Sequence, residues 1–226
     1  RSRRKPQPPP PPRPEHQLEM GFFERLFTPK AERAFVEGCR AYVTGDVSRA
    51  LSELRGAAEH ADAAFLAGFL SINAKRLDDA EANLKLAATK HRSLGKLFDK
   101  YGLAVRLALP ITEFVTAHLE PCRRGALLGL AEIYHDQDRT KDALKCLKRL
   151  RQDEPDDVVV NVSIAELVLE AQPDSKRLAK QVVELAGEVD NDSAVHAALM
   201  LYKAQALRTL DLPTAARDVL TAAFRK

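Results

Sequence analysis

The chain has 226 residues, 45% of them apolar, with no tryptophan and a formal net charge of +3 at pH 7. Residues 1–20 hold five basic and two acidic side chains, so they carry the whole net charge and the remaining residues are neutral. A neutral body argues against nucleic acid as the main ligand, because phosphate binding needs a basic face. No stretch approaches the ~20 apolar residues that a membrane span requires.

The first 19 residues form a basic, proline-rich tail. They include seven prolines and one aliphatic side chain, Leu18, so they cannot bury enough apolar surface to fold. The proline run at 8–12 favours polyproline II, which makes the tail either a plain linker or a docking segment for an aromatic groove. Two origins are open, because the chain starts with arginine. Either a transmembrane anchor precedes Arg1, or Met20 is a natural start and the tail is an addition.

A short amphipathic segment follows at residues 20–28, with Phe22, Phe23, Leu26 and Phe27 as its apolar members. Two interpretations are open: the segment caps the first helix pair, or residues 20–27 contact a membrane surface or a partner groove. Pro29 suits the first position of a helix, so the helical repeat domain is expected to span residues 29–226.

Small residues recur at a fixed spacing in the first two predicted helix pairs, residues 29–61 and 62–92. Gly38 and Ala50 are followed 30 positions later by Gly68 and Ala80. Gly45 and Asp46 predict the turn inside the first pair, because both residue types favour turns.

Residues 93–123 lack a glycine turn and are predicted to form a degenerate repeat. Apolar residues at helical spacing predict a first helix from Leu94 to Val105. Pro110 breaks this pattern, and residues 111–119 are predicted to form a second helix closed by Pro121.

The clearest helix pair is predicted at residues 124–157. Its first helix has an apolar face, a polar turn follows at residues 135–138, and Pro155 ends the second helix. Two more pairs follow at 158–186 and 193–224. Asp174 or Ser175 is expected to cap a helix in the former, and Asp211, Leu212 and Pro213 make the turn in the latter. One pair cannot bury its own apolar faces, so the pairs must stack.

The pattern at residues 124–157 resembles one unit of the tetratricopeptide repeat family. Ala131, Tyr134, Ala143 and Pro155 match the small, aromatic, small and proline positions, while Leu127 stands where the family has tryptophan. The resemblance implies an all-α, right-handed α-solenoid of about five stacked antiparallel helix pairs, preceded by the proline-rich tail. It also implies that the protein binds other proteins.

In the family, the first helix of each pair lines a concave groove that contacts the ligand. Carried over position by position, the resemblance implies a partner-binding set of twelve residues in four pairs: Phe35, Cys39, Tyr42, Phe65, Phe69, Asn73, Leu128, Glu132, His135, Leu201, Gln205 and Arg208. Its N-terminal half is apolar and aromatic, which suits an amphipathic helix or an apolar peptide. The alternative is that these aromatic residues belong to the core.

Motifs of catalysis or metal binding are missing from the sequence. The three cysteines are far apart, no C-x-x-C or H-E-x-x-H occurs, and no phosphate-binding glycine loop is present. The cysteines are expected to be reduced packing residues, as in cytosolic proteins. We therefore expect no catalytic residues, no metal site and no cofactor.

Two functions of different classes follow. The favoured one is a non-enzymatic scaffold or adaptor that binds a protein or peptide in its groove. The other is a self-assembly module that forms homo-oligomers through terminal or outer helix faces. The expected location is cytoplasmic or membrane-associated, with membrane contact only through a preceding anchor or residues 20–27.

Overall fold

The computed structural model describes residues 28–105, 107–113, 115–187 and 194–224. These residues form eleven α-helices, one 3₁₀ turn and a two-stranded hairpin. The predicted tail at residues 1–19 and the amphipathic segment at residues 20–27 lie outside the described residues, as does the proposed anchor.

The elements follow one another along the chain with short connections. In order they are α1 (Lys30–Val43), α2 (Val47–Arg55), α3 (Ala61–Asn73), α4 (Leu77–Thr89), a 3₁₀ turn (His91–Ser93), α5 (Lys96–Lys100), β1 (Leu107–Pro110), β2 (Thr116–Leu119), α6 (Arg123–Asp136), α7 (Thr140–Asp153), α8 (Val158–Ala171), α9 (Lys176–Ala186), α10 (Ala194–Thr209) and α11 (Pro213–Phe224).

The described residues divide into two compact units. The N-terminal unit lies within residues 28–108 and 118–133, and the C-terminal unit within residues 109–117 and 134–224. In the N-terminal unit α2 packs on α1 and α3, and α3 on α4. In the C-terminal unit α8 packs on α7, α9 and α10, and α10 packs on α11. The predicted all-α fold of stacked helix pairs is confirmed. The described residues contain five helix–turn–helix units, as expected.

In each of the first two pairs, a close contact between a glycine and a leucine joins the two helices. A Cβ atom on Gly38 would lie 2.7 Å from Leu54 Cγ, and one on Gly68 would lie 2.6 Å from Leu84 Cγ. Both leucines are almost fully buried, at 1% and 0% exposure. The missing side chain on the first helix therefore makes room for the leucine of the second helix. The 30-residue repeat in the sequence is a repeat of this contact.

Four of the five turns between paired helices share one backbone conformation. In each, one residue has a left-handed φ: Gly45, Lys75, Asp138 or Asp211. The N–H of the next residue then donates to a carbonyl five residues earlier, at 2.8–3.0 Å, through Asp46, Arg76, Arg139 and Leu212. This pattern is the Schellman ending of a helix. It allows the second helix to start after only three connecting residues.

The turn between α8 and α9 differs, because it has four residues, 172–175, and includes Pro173. Of the two predicted caps, the structure uses Ser175, whose side chain accepts a hydrogen bond from the N–H of Leu178. At the start of α8, Asp157 accepts from the N–H groups of Val159 and Val160.

The prediction of helices at residues 94–105 and 111–119 is wrong. Only the five-residue α5 forms in the first region, and the second region contributes to the hairpin of β1 and β2. The buried apolar residues of the hairpin all have odd numbers: Leu107, Leu109, Ile111, Val115, Ala117 and Leu119. Apolar residues at 111, 115 and 119 fit a spacing of four, which is helical, and also a spacing of two, which is that of a strand. Pro110 disfavours a helix, and the β-branched residues after it favour a strand.

The left-handed turns can be tested by substitution. We expect Gly45→Ala to lower the free energy of unfolding by about 1–2 kcal/mol, because φ is +82° and an L side chain is strained there. Apart from residue 45 and its two chain neighbours, no atom lies within 4 Å of the new Cβ, so the loss would come from the backbone and not from a clash. Urea unfolding followed by circular dichroism measures the change.

The matched variant is Asp138→Gly, at a residue with φ of +58°. It is expected to leave stability unchanged or to raise it by up to about 1 kcal/mol, because the left-handed strain is removed while the unfolded chain gains freedom. Equal losses from both substitutions would contradict a backbone origin.

Candidate interaction faces

Five of the predicted partner-binding residues are buried in the N-terminal unit. Phe35, Cys39, Phe65, Phe69 and Leu128 are all at most 3% exposed. The rings of Phe65 and Phe69 lie 5.0 Å apart, and both approach glycines of α6, Gly125 and Gly129. Burial also raises the pKa of the Cys39 thiol well above its usual value, with a smaller contribution from Asp62. These side chains form the core, which was the alternative interpretation, and no ligand reaches them without opening the unit.

The other predicted residues of this unit differ in exposure. Glu132 is 8% exposed, Tyr42 is half-buried, and Asn73 is exposed at the end of α3. Burial raises the pKa of the Tyr42 hydroxyl. Tyr42 and Asn73 are therefore the members of the predicted set that a partner of this unit can touch most easily.

In the C-terminal unit the predicted residues lie on two surfaces. His135 is bonded to Glu170, with 2.9 Å between Nε2 and Oε2. Leu201, Gln205 and Arg208 are exposed, and their spacing of four and three residues places them on one face of α10. We call these three residues the α10 stripe.

Sequence reasoning missed what lies on the first helices. The inserted segment, residues 90–122, stands between the second and third helix pairs and supplies α5 and the hairpin. In the N-terminal unit, the ring of Phe98 packs edge-on against Phe35, with 5.0 Å between centroids. Lys100 donates to Glu32 Oε2 at 2.5 Å, and the Tyr101 hydroxyl donates to the same oxygen. Hence α5 is tied to α1 by both apolar and polar contacts.

A buried carboxylate ties the inserted segment to α3. Asp62 is 1% exposed and accepts hydrogen bonds from the N–H of Gly95 at 2.5 Å and of Leu97 at 2.7 Å. Burial raises the pKa of this carboxyl, and hydrogen bonds from the backbone N–H groups of Gly95, Leu97 and Phe98 act against that shift. Asp62 thus ends the left-handed turn at Gly95 and starts α5, as an N-terminal cap supplied from another helix.

The C-terminal unit shows a similar arrangement at the turn of the hairpin. Thr112 is 4% exposed, its hydroxyl accepts from the N–H of Val115 at 3.1 Å, and it is hydrogen-bonded to Tyr202 of α10. The Tyr202 hydroxyl also donates to Glu166 of α8 at 3.1 Å. Burial first, and then the charge of Glu166, raise the pKa of Tyr202.

In each unit, therefore, part of the inserted segment contacts the first helices of pairs. These are the faces at which the family resemblance placed a ligand. The sequence holds one signal of this arrangement: Asp62 is the one charged residue of α3, whose other residues are apolar except Ser71 and Asn73. In the structure the first twelve residues of α3 are all buried. An acid so placed requires hydrogen-bond donors from elsewhere in the fold.

Within the described residues, no group of three or more His, Cys, Asp or Glu side chains could hold a metal ion. Among the helices that the structure describes, none combines the length and the hydropathy of a membrane-spanning helix.

Comparison with known proteins supports the fold. No family model matches the chain, and no curated protein matches it. The chain is similar to a crystal structure described as a kinesin light chain from Podospora anserina with nearly identical TPR-like repeats. The two share 15% sequence identity over 87% of this chain and 95% of the other, with a TM-score of 0.51. The likeness shows the fold alone, and the resemblance seen in Ala131, Tyr134, Ala143 and Pro155 is confirmed at that level.

The role of Asp62 can be tested with an isosteric change. Asp62→Asn replaces one acceptor oxygen with an N–H₂ group that faces a backbone donor, so a buried hydrogen bond is lost. We expect the free energy of unfolding to fall by about 1–3 kcal/mol. Amide hydrogen exchange should show faster exchange at Leu97 in the variant. Asp78→Asn, an exposed change in the first turn of α4, is the control. Equal effects of the two variants would remove the special role of Asp62.

The tie between α1 and α5 should depend on pH. Hydrogen bonds from Lys100 and then Tyr101 lower the pKa of Glu32 below its ordinary value of 4.5. Because the folded-state pKa is lowered, the ionised carboxylate contributes stability that is fully present above pH 4.5 and is lost as pH falls through the folded value. The difference in unfolding free energy between the wild type and Glu32→Gln should therefore be constant at neutral pH and shrink below pH 4.5. A difference that grows on acidification would contradict the assignment.

Proposed function

We propose that this chain is a non-enzymatic scaffold that binds a segment of a partner protein on an exposed face of α10, the first helix of its last pair. The α10 stripe is the observation that carries the proposal. Leu201 is 37% exposed, and it is one of three large apolar side chains that are exposed among the described residues. An apolar residue, an amide and a cation in one row can bind an extended or helical segment with an apolar anchor and an acidic group.

Comparison inside the C-terminal unit supports this choice. Val162 and Glu166 hold the places on α8 that Leu201 and Gln205 hold on α10, because each set has the same spacing from a buried alanine, Ala165 or Ala204. Val162 is 0% exposed and Glu166 is 7% exposed. The same helix face is thus covered in one pair and open in the next.

A second candidate function, self-assembly, rests on the other two exposed apolar side chains. Leu212 is 49% exposed in the turn before α11, and Phe224 is 56% exposed at its end. Both belong to the last pair, which could pack on a second copy of the chain through its outer side.

The test of the proposed function is a quantitative pull-down from lysate of the source organism with the full chain as bait. We expect a partner whose recovery falls at least tenfold with Leu201→Asp/Arg208→Ala and is unchanged with Arg217→Ala, an exposed change on α11. Circular dichroism of each variant verifies the fold. Equal recovery of every protein by the three baits would overturn the α10 stripe as the binding face.

Light scattering of the purified chain at several concentrations separates the second candidate. A mass that stays at one chain supports the partner-binding scaffold. A mass that rises with concentration, and no longer rises in Leu212→Asp/Phe224→Asp, supports self-assembly instead.

A further inference from the structure

A cavity of about 670 Å³ lies in the C-terminal unit between α7, α8 and α9. It is distinct from the α10 stripe, because its walls are the second helices of two pairs and its floor is the first helix α8. The floor and lower walls are apolar: Leu144, Ile164, Val168, Leu178 and Val182. This volume is within the range of about 300–1,000 Å³ that is typical of binding pockets. We call it the α7–α9 groove.

The rim of the α7–α9 groove is basic. Lys141, Lys148 and Arg151 line it from α7, and Arg177 lines it from α9, whereas Glu184 is the acidic residue of the lining. All four basic residues are exposed. Within the part of the chain that the structure describes, none of the four forms an ion pair or a hydrogen bond with another side chain. Four cations and one acid around an apolar floor make a net positive surface on a chain whose body has no net charge.

The N-terminal unit contains the corresponding groove, with α3 as its floor and α2 and α4 as its walls. It differs from the α7–α9 groove in its volume and in the charge of its lining. Its volume is about 280 Å³, and much of its lining is alanine. Its lining has two cations, Arg55 and Arg76, and Arg76 is paired with Asp79. The longer turn between α8 and α9 and the larger aliphatic residues distinguish the groove of the C-terminal unit. An open, charged groove is therefore not a general property of these helix pairs.

We propose that the α7–α9 groove binds an acidic amphipathic helix of a partner protein. Apolar side chains at helical spacing would enter the cavity, and flanking Asp and Glu residues would meet the four cations of the rim. Two observations favour this occupant over a nucleic acid: the floor is aliphatic, and no aromatic residue lines the groove on which a base could stack. A small molecule is disfavoured because the four cations are exposed to solvent and no buried polar side chain is among the described residues that line the groove.

The first experiment uses a displayed library of random 16-residue helical peptides, selected on the full chain. A groove variant, Lys148→Glu/Arg177→Glu, is compared with a matched control, Lys145→Glu/Lys180→Glu. The control changes the same two helices by the same charge at exposed residues outside the groove. We expect enriched peptides to be acidic, with apolar residues at i, i+3, i+4 and i+7, and to lose enrichment on the groove variant alone. Absence of groove-dependent peptides, or groove-dependent peptides that are neutral or basic, would overturn the proposal.

The second experiment measures affinity by fluorescence anisotropy with the most enriched peptide. We expect the dissociation constant to rise at least tenfold with the groove variant and less than twofold with the control. A peptide with two Glu residues changed to Lys should recover binding to the groove variant. Competition distinguishes a specific site from a general polyanion surface. Polyglutamate and a single-stranded oligonucleotide should compete weakly, and competition by either as strong as that of the peptide would overturn the proposal.

Discussion

The first two helix pairs depend on a close contact between a glycine of the first helix and a leucine of the second. The glycine has no side chain at the place that the leucine side chain occupies. Leu54 and Leu84 fill the space above Gly38 and Gly68, at distances that a methyl group could not share. Because the paired helices come so close, three connecting residues are enough to join them. The close approach packs both helices of each pair into one core. The side of each first helix that faces away from its paired helix must then be covered by another part of the chain or exposed.

In this protein the inserted segment provides part of that cover. Phe98 meets Phe35, Asp62 receives two backbone N–H groups, and Thr112 meets Tyr202 in the other unit. These contacts combine apolar burial with polar groups that have their partners, which satisfies the requirement that buried polar groups be hydrogen-bonded. The surfaces that we propose for partner binding are the α10 stripe and the α7–α9 groove. Each is open because its flanking elements leave apolar side chains partly uncovered.

The helix pairs were predictable from the sequence because their signals are local. Apolar spacing, small residues such as Gly68 and Ala80, and turn residues such as Gly45 act within about 30 positions of each other. The inserted segment was not predictable in this way. Residues 111, 115 and 119 satisfy both the helical and the strand spacing, so the pattern alone does not distinguish a helix from a strand.

The burial of Phe35 and Phe65 could not be predicted from local sequence either. It depends on Phe98 and Gly125, which lie 63 and 60 positions further along the chain. The argument from repeat positions placed both the exposed α10 stripe and buried residues such as Phe35 in the predicted partner-binding set.

The bond between Glu32 and Tyr101 joins residues 69 positions apart. In a simple repeat array each unit touches only its neighbours, so the ends can unfold while the centre stays intact. A contact across the first two pairs changes that behaviour. Opening α1 alone would break its bonds to α5, and releasing α5 would leave Asp62 buried without its donors. The first pair, the second pair and α5 are therefore coupled into one cooperative folding unit, and fraying from the N-terminal end of the domain is suppressed.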